Sequence, residues 1–462
     1  MINRRSRREN IMKKEVTNKI LWIFAIGQLG WSMLAGVITN WFVYYYAPEQ
    51  TTLDLGHKLF VPAGVVLLGM TIIGIISALG RIFDAVTDPY VASKSDALKH
   101  KLGRRIPFMR WAAIPFGVVC FLIFLTPLQE ASSMNAVYIG VGYILFYLFM
   151  TMYCTPYNAL IPVLGRTQEN RTKISTFISF TFIIGSTLSF ALPNIAGVFS
   201  SLGYVNSFRV AVLIIVVISV ICMLIPAFLI HEKDYDDAEP VKTNAFSSLA
   251  KTFQNKNFRV FVGSDVLYFT ALTLFNTGMP FYVTSLIGLE ESMTFILIAV
   301  MTACSLLFYP LIGKVLKKFG KKKMVMFAFI FFSGTFLFTA FSGKIGLPPM
   351  VNGIAIAVLA SLPMAILGII PNTMIADIAE CDAIETKENR EGMFYAARTF
   401  SFKMGQSVSM ILFTSVKLIG AETFLGLRLT VVIAFVLCLL GAIIFTRYNE
   451  KNIYQKLGVK NS

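Results

Sequence analysis

Charge is what this sequence lacks. Only 14% of its 462 residues are Asp, Glu, Lys or Arg, against about 25% in soluble chains. The complement is 56% apolar residues and a mean hydropathy of +0.69. That is more Phe, Leu, Ile and Val than a soluble interior of this size could hide. The three histidines lie in loops without ligand spacing. The six cysteines (Cys120, Cys154, Cys222, Cys304, Cys381, Cys438) are scattered and form no CxxC pair, so they read as small buried apolar side chains, not as a metal or disulfide framework. No GxxxxGK[ST] loop occurs, which excludes a chain that hydrolyses nucleotide on its own. No nucleophile–base constellation is visible, so an enzyme is not expected. The net charge of +16 does not indicate a nucleic-acid partner, because the basic residues fall in short clusters between apolar runs instead of along one face.

What the sequence has is long apolar runs. A spanning helix needs about 20 apolar residues. Twelve such segments lie near 20–46, 62–90, 106–127, 136–163, 174–199, 208–230, 258–287, 291–313, 324–342, 348–376, 392–419 and 423–446. The first is too long for the apolar core of a signal peptide and is expected to stay. Backbone groups in lipid must bond within their own segment, so these are predicted to be helices. Of the 41 basic residues, 34 lie at the termini or in every second connection, and five (Lys58, Arg209, Lys344, Lys417, Arg428) in the alternate ones. This asymmetry predicts two cytoplasmic termini and a multi-pass protein of the plasma (inner) membrane. The expected organisation is a tail at 1–19, six helices over 20–230, a polar linker at 231–257, six helices over 258–446 and a tail at 447–462. The loops SDALKHKLGRR (95–105) and GKVLKKFGKKK (313–323) occupy equivalent places, with Gly103 and Gly320 each preceding a basic pair. Two such halves resemble the major facilitator superfamily, an all-α membrane fold with a site between parallel repeats.

Ionisable residues at membrane depth are costly and mark function by default. In GRIFDAVTDPYVASKSD (80–96), Asp84 and Asp88 are four residues apart. They share one helix face, about 6 Å apart along the axis. With Thr87 between them they offer hard oxygen ligands to a small cation. Alternatively the two carboxyls share a proton, or Asp88-Pro89 ends the segment and Asp84 pairs with Arg81. Lys403 lies in EGMFYAARTFSFKMGQSVSMI (391–411). It is expected to reach into the central cleft towards the aspartates; the alternatives are Asp265 within its own half or the interface. Arg398 could snorkel. Pro156, Pro162, Pro193 and Pro363 are expected to kink their helices.

The run GRIFDAVTDP followed by LGRRIPF, and the run MIADIAECDAIETKENREGMFYAARTFSFKMGQS (374–407), resemble the two signatures of the glycoside–pentoside–hexuronide:cation symporters, the melibiose-carrier family. That resemblance implies a cation site at Asp84, Asp88, Thr87 and Thr151, a coupling lysine at Lys403 and a solute-proximal Thr399, with Arg398 nearby. It implies Na⁺, H⁺ or Li⁺ as coupling ion, the aspartates being the metal ligands if the ion is Na⁺, and no cofactor. A small solute and the bilayer are the implied partners, with the protein a monomer. The sugar site departs from the family pattern. Gln28 and Cys154 stand where the galactoside carriers place acids, and Ile178 where they place an arginine. Gln28, Tyr153, Asn158 and Tyr157 remain as polar groups for a solute. A eukaryotic branch of the family carries lysophospholipids, so an amphiphilic solute is the alternative, and an uncoupled facilitator a further one.

Overall fold

A computed structural model describes residues 15–67, 69–165, 167–235, 251–387 and 391–457. The expected terminal tails, in part, and most of the linker lie outside these residues. Twelve long helices are found among them. In the first half they are α1 (Asn18–Tyr46), α2 (Ile72–Ala97), α3 (Ile106–Ile123), α4 (Ser133–Ala159), α5 (Gln168–Leu188) and α6 (Tyr204–Leu229). In the second they are α7 (Lys256–Phe281), α8 (Met293–Phe319), α9 (Lys321–Ala340), α10 (Pro349–Thr386), α11 (Glu391–Val416) and α12 (Leu425–Phe445). Ten of these are apolar enough to cross a bilayer on length and composition alone. The two others, α2 and α11, carry the aspartates and the lysine.

The element bounds depart from the apolar runs in three places. The stretch expected to open the second helix at 62 instead forms a small antiparallel hairpin, β1 (Val65–Leu67) on β2 (Met70–Thr71), and α2 starts only at Ile72, where Thr71 caps it by accepting from Gly74 N. β-branched residues and glycines at 64 and 69 favour the turn over a helix. The fifth run is broken at Ser189–Ala191 by a 3-10 turn ahead of Pro193, then resumes over Leu192–Val198. α10 runs to Thr386, ten residues past its apolar stretch, because its last turns are amphipathic and pack on protein.

The two halves are built alike. In the first half α1 packs on α5 and α6, α2 on α4, and α3 on α4 and α6. In the second α7 packs on α11 and α12, α8 on α10, and α9 on α10 and α12. The basic loops explain part of this repeat. Gly103 and Gly320 both have positive φ (108° and 77°), which a side chain would oppose. Each turn delivers the next helix N-terminus to one carboxylate from beyond the sixth helix of its half. Glu232 Oε2 accepts from the N–H groups of Arg105 and Ile106 at 2.7 and 3.2 Å. Glu450 Oε1 accepts from those of Lys321 and Lys322 at 2.9 and 3.2 Å. An acid there satisfies orphan donors and meets the positive end of the helix dipole. The same end of each half is tied again by a cation on carbonyls at a helix C-terminus. Arg110 Nε donates to Ala227 O, and Lys322 Nζ to Thr446 O and Tyr448 O. At the opposite end Arg209 Nε donates to Phe124 O, and Arg428 Nη1 to Ala340 O and Ser342 O.

Across the halves α2 packs on α11, α1 on α7 and α5 on α8. The α2–α11 contact is close: a Cβ on Gly74 would lie 2.3 Å from Thr414 Oγ1. Small residues permit such approach where lipid supplies no hydrophobic drive between helices.

Candidate functional site

The charged residues that composition made improbable are gathered where the halves meet. On α2, Asp84 is fully buried and Asp88 partly open. α4 faces them with the same i, i+4 spacing. Thr151 Oγ1 donates to Asp84 Oδ1 at 2.9 Å, and Thr155 Oγ1 to Asp88 Oδ1 at 3.2 Å. From the other half, mid-way along α11, Lys403 Nζ donates to Asp88 Oδ2 at 2.6 Å and lies 2.8 Å from Asp84 Oδ2. One ammonium thus sits between two carboxylates, each held on its far oxygen by a hydroxyl. Thr87 Oγ1 bonds back to Phe83 O at 2.9 Å and lies 3.4 Å from Thr151 Oγ1, at the edge of the cluster. Ser407, one helical turn beyond the lysine, donates to Ala78 O across the same seam.

The bland alternatives for the aspartates do not hold. α2 continues past Pro89 to Ala97, so Asp88 does not end it. Arg81 turns away from Asp84: Nη2 donates to Thr39 Oγ1 at 2.8 Å and the guanidinium stacks 5.1 Å above the Tyr147 ring. Asp265 is not Lys403's partner either. It holds Arg398 through two bonds, Nε to Oδ2 at 2.7 Å and Nη2 to Oδ1 at 3.1 Å, while Arg398 Nη1 donates to Asn372 Oδ1. Arg398 therefore does not snorkel to the interface; it is buried in a fork-shaped pair that joins α7, α10 and α11. That placement assigns it to bracing the second half, one and a half turns from Lys403.

Other expected solute residues separate into two sets. Tyr153 is sealed in protein and its hydroxyl donates to Met223 O at 2.9 Å. Tyr157 stacks on Phe24 and donates to Phe24 O at 2.7 Å. Both hydroxyls are committed to backbone carbonyls of α6 and α1, which corrects the expectation that they face a solute. Gln28 is buried on α1. Thr399, one turn from Lys403 towards the termini, is half-buried and Asn158 is exposed, so these two lie on the side of the cluster nearer the chain ends. Cys154 is buried between Thr151 and Thr155. Thr155 adds a hydroxyl that the expected site did not include, its spacing from Thr151 mirroring that of the aspartates.

Beyond the cluster, away from the termini, a second set of bonds joins the halves. Lys417 Nζ lies 3.0 Å from Glu49 Oε1, bonds Ala47 O and sits 4.3 Å over the Phe281 ring. Tyr204 Oη donates to Glu291 Oε2 at 2.6 Å, and the Thr187 and Thr302 hydroxyls meet at 3.2 Å. Burial pushes the Glu291 carboxyl, in the loop before α8, up to about 7 against the pull of the Tyr204 bond, and Oε1 is buried without a partner among the described residues. Burial also lowers His57 in its loop to about 4, so it is neutral near pH 7.

Known proteins resemble this chain in sequence and in fold. The inner membrane symporter YicJ of Escherichia coli (strain K12) is 27% identical over 239 residues, which are 50% of this chain and 48% of that protein. The match thus spans about half of that relative's length. The sodium-dependent lysophosphatidylcholine symporter 1 of Xenopus tropicalis is 25% identical over 420 residues, 80% of this chain and 78% of that one. The structure of the nucleoside transporter NupG superposes with a TM-score of 0.61 over 94% of this chain and 99% of that chain at 14% identity, a likeness of fold. The family profile described as MFS/sugar transport protein matches residues 23–452, and this chain, with its two six-helix halves and membrane-spanning helices, belongs to that family.

Proposed function

We propose that this protein is a cation-coupled symporter that carries a small glycoside-like solute into the cell by alternating access. The observation that supports it most is the Asp84–Lys403–Asp88 cluster, built from both halves at mid-membrane. Two carboxylates and two or three hydroxyls are hard oxygen donors suited to Na⁺, Li⁺ or a proton. In the arrangement described, the ammonium stands where a cation would bind. An arriving cation takes over the carboxylates and releases Lys403 towards the solute on the Thr399–Asn158 side, so cation and solute occupancy become linked. The residues that hold the ion are then Asp84, Asp88, Thr151 and Thr155, with Thr87 behind them.

The basic asymmetry orients both termini in the cytoplasm. The Lys417–Glu49, Tyr204–Glu291 and Thr187–Thr302 contacts then close the outer side, and the arrangement is inward-facing. The departures at Gln28, Cys154 and Ile178 favour a second reading, a less polar or amphiphilic solute, and the lysophosphatidylcholine symporter among the relatives supports it.

Uptake into membrane vesicles under imposed Na⁺, Li⁺ or H⁺ gradients, after a binding screen of glycosides, nucleosides and lysolipids, tests both. Asp84→Asn and Asp88→Asn are each expected to abolish concentrative uptake while the protein remains in the membrane. Full accumulation by Asp84→Asn ends the coupling proposal.

A further inference from the structure

One cavity takes no part in that cycle. It opens on the outside of the second half, between α8, α9 and α10, and encloses about 560 Å³. Leu311, Val315 and Phe319 of α8, Phe327 of α9 and Leu362 and Ile366 of α10 are among its walls, and Lys323 supplies its polar lining side chain. Leu311, Phe319 and Phe327 are each about half exposed (52%, 49% and 49%), so the groove faces outwards, not towards the central cluster. Its volume is in the range of about 300–1,000 Å³ that holds small ligands.

Its length and its charge identify the occupant. From Phe308 to Phe319, both in the wall, α8 rises about 16 Å. Half the hydrocarbon core of a bilayer is about 15 Å, so the groove is one leaflet deep. The one basic residue of the lining, Lys323, lies at the end nearest the chain termini, where a headgroup would sit. There two of the neighbouring lysines are already used. Lys321 Nζ pairs with Asp377 at 2.5 Å, Lys322 Nζ is held by two carbonyls, and Glu450 caps the start of α9. Lys323 and Lys318 have no anionic partner among the described residues, and the Lys318 ammonium lies 5.5 Å from the Phe319 ring at the mouth of the groove.

We propose that this groove is a binding site for an anionic phospholipid of the leaflet facing the termini, with one or more acyl chains between α8, α9 and α10 and the phosphate on Lys318 and Lys323. Juxtamembrane cations attract anionic headgroups with a gain of about fivefold in affinity each, so the pair gives roughly thirtyfold preference over a zwitterionic lipid. The bound lipid holds α8 and α9 to α10, the helix whose Asn372 steadies Arg398.

The test uses full-length protein in uncharged detergent, with bound lipid counted by native mass spectrometry and thermal stability followed in parallel. Phosphatidylglycerol is expected to be retained and to stabilise well beyond phosphatidylcholine. Lys318→Gln with Lys323→Gln should remove that preference and leave the phosphatidylcholine response as it was. Leu311→Trp, which fills the groove, should reduce retention of both lipids. Equal retention of the two lipids by the native protein overturns the proposal, as does an undiminished preference in the double variant. Stabilisation by inorganic phosphate equal to that by phosphatidylglycerol also overturns it, because the site would then read a soluble anion and not a lipid.

Discussion

Truncating Lys403 to alanine removes the one ammonium that lies 2.8 and 2.6 Å from the Asp84 and Asp88 carboxylates. The aspartates keep their hydroxyl bonds from Thr151 and Thr155, but two negative charges are left in one site. Removing one partner of a buried ion pair costs about 3–5 kcal/mol. Asp84 is fully buried and Asp88 retains 28% of its side-chain exposure, so water reaches one carboxylate and the lower value, about 3 kcal/mol, is appropriate. For a chain of 462 residues, at about 1 °C per kcal/mol, this is a fall of about 3 °C in the unfolding midpoint. The variant has an alternative source of positive charge, the coupling cation itself, which no longer competes with the ammonium. Cation at a hundred times its dissociation constant returns about 2.7 kcal/mol. The expected result is therefore a variant that is unstable in choline chloride, is largely rescued by the coupling cation at equal ionic strength, and has lost concentrative uptake. Thermal unfolding of purified protein in the two salts, beside vesicle uptake, measures all three. A Lys403→Ala protein with native stability, native cation response and native uptake would refute the argument, because the ammonium would then be neither competitor nor counter-ion.

Three further outcomes follow from the same geometry. Thr151→Val removes a hydroxyl donor to an ionised acceptor, worth about 1.5–3 kcal/mol, and should raise the half-saturating cation concentration by about tenfold or more in uptake assays, with a smaller rise for Thr155→Val at the more open aspartate. Asp265→Asn breaks the fork that holds Arg398 and should lower stability by about 3 kcal/mol while the half-saturating cation concentration stays unchanged; a cation shift equal to that of Thr151→Val would return Asp265 to the coupling site. Glu291 sets a pH dependence: its carboxyl is pushed up to about 7 in the closed contact with Tyr204, against about 4.3 when exposed. The closed contact therefore contributes its stability fully below about pH 4 and loses it as pH rises through about 7, so separation at the far end, read by distances between spin labels at positions 51 and 344, should grow between pH 5 and 8 in the native protein and stay flat in Glu291→Gln.

The sequence alone carried the number of spans, their helical nature and the pairing of the halves. Lipid offers no hydrogen bonds to a backbone, so a long apolar run has few conformations open to it. The GRIFDAVTDP segment likewise carried the carboxylate pair, because a spacing of four on a helix is already a shared face. Thr155 was legible by the same rule. Local pattern failed where partners lie far apart in the chain. Lys403 had three plausible destinations, and only the packing of α2 on α11 chose the aspartates over Asp265. Arg81 had a carboxylate three residues away, yet took Thr39 and the Tyr147 face, because the approach of α1 and α4 left those groups within reach and turned Asp84 towards α11. Tyr153 and Tyr157 look like solute ligands until the carbonyls of Met223 and Phe24 are brought against them. A helix face can be read from periodicity, but the charge that sits opposite it is decided by which other helix arrives there.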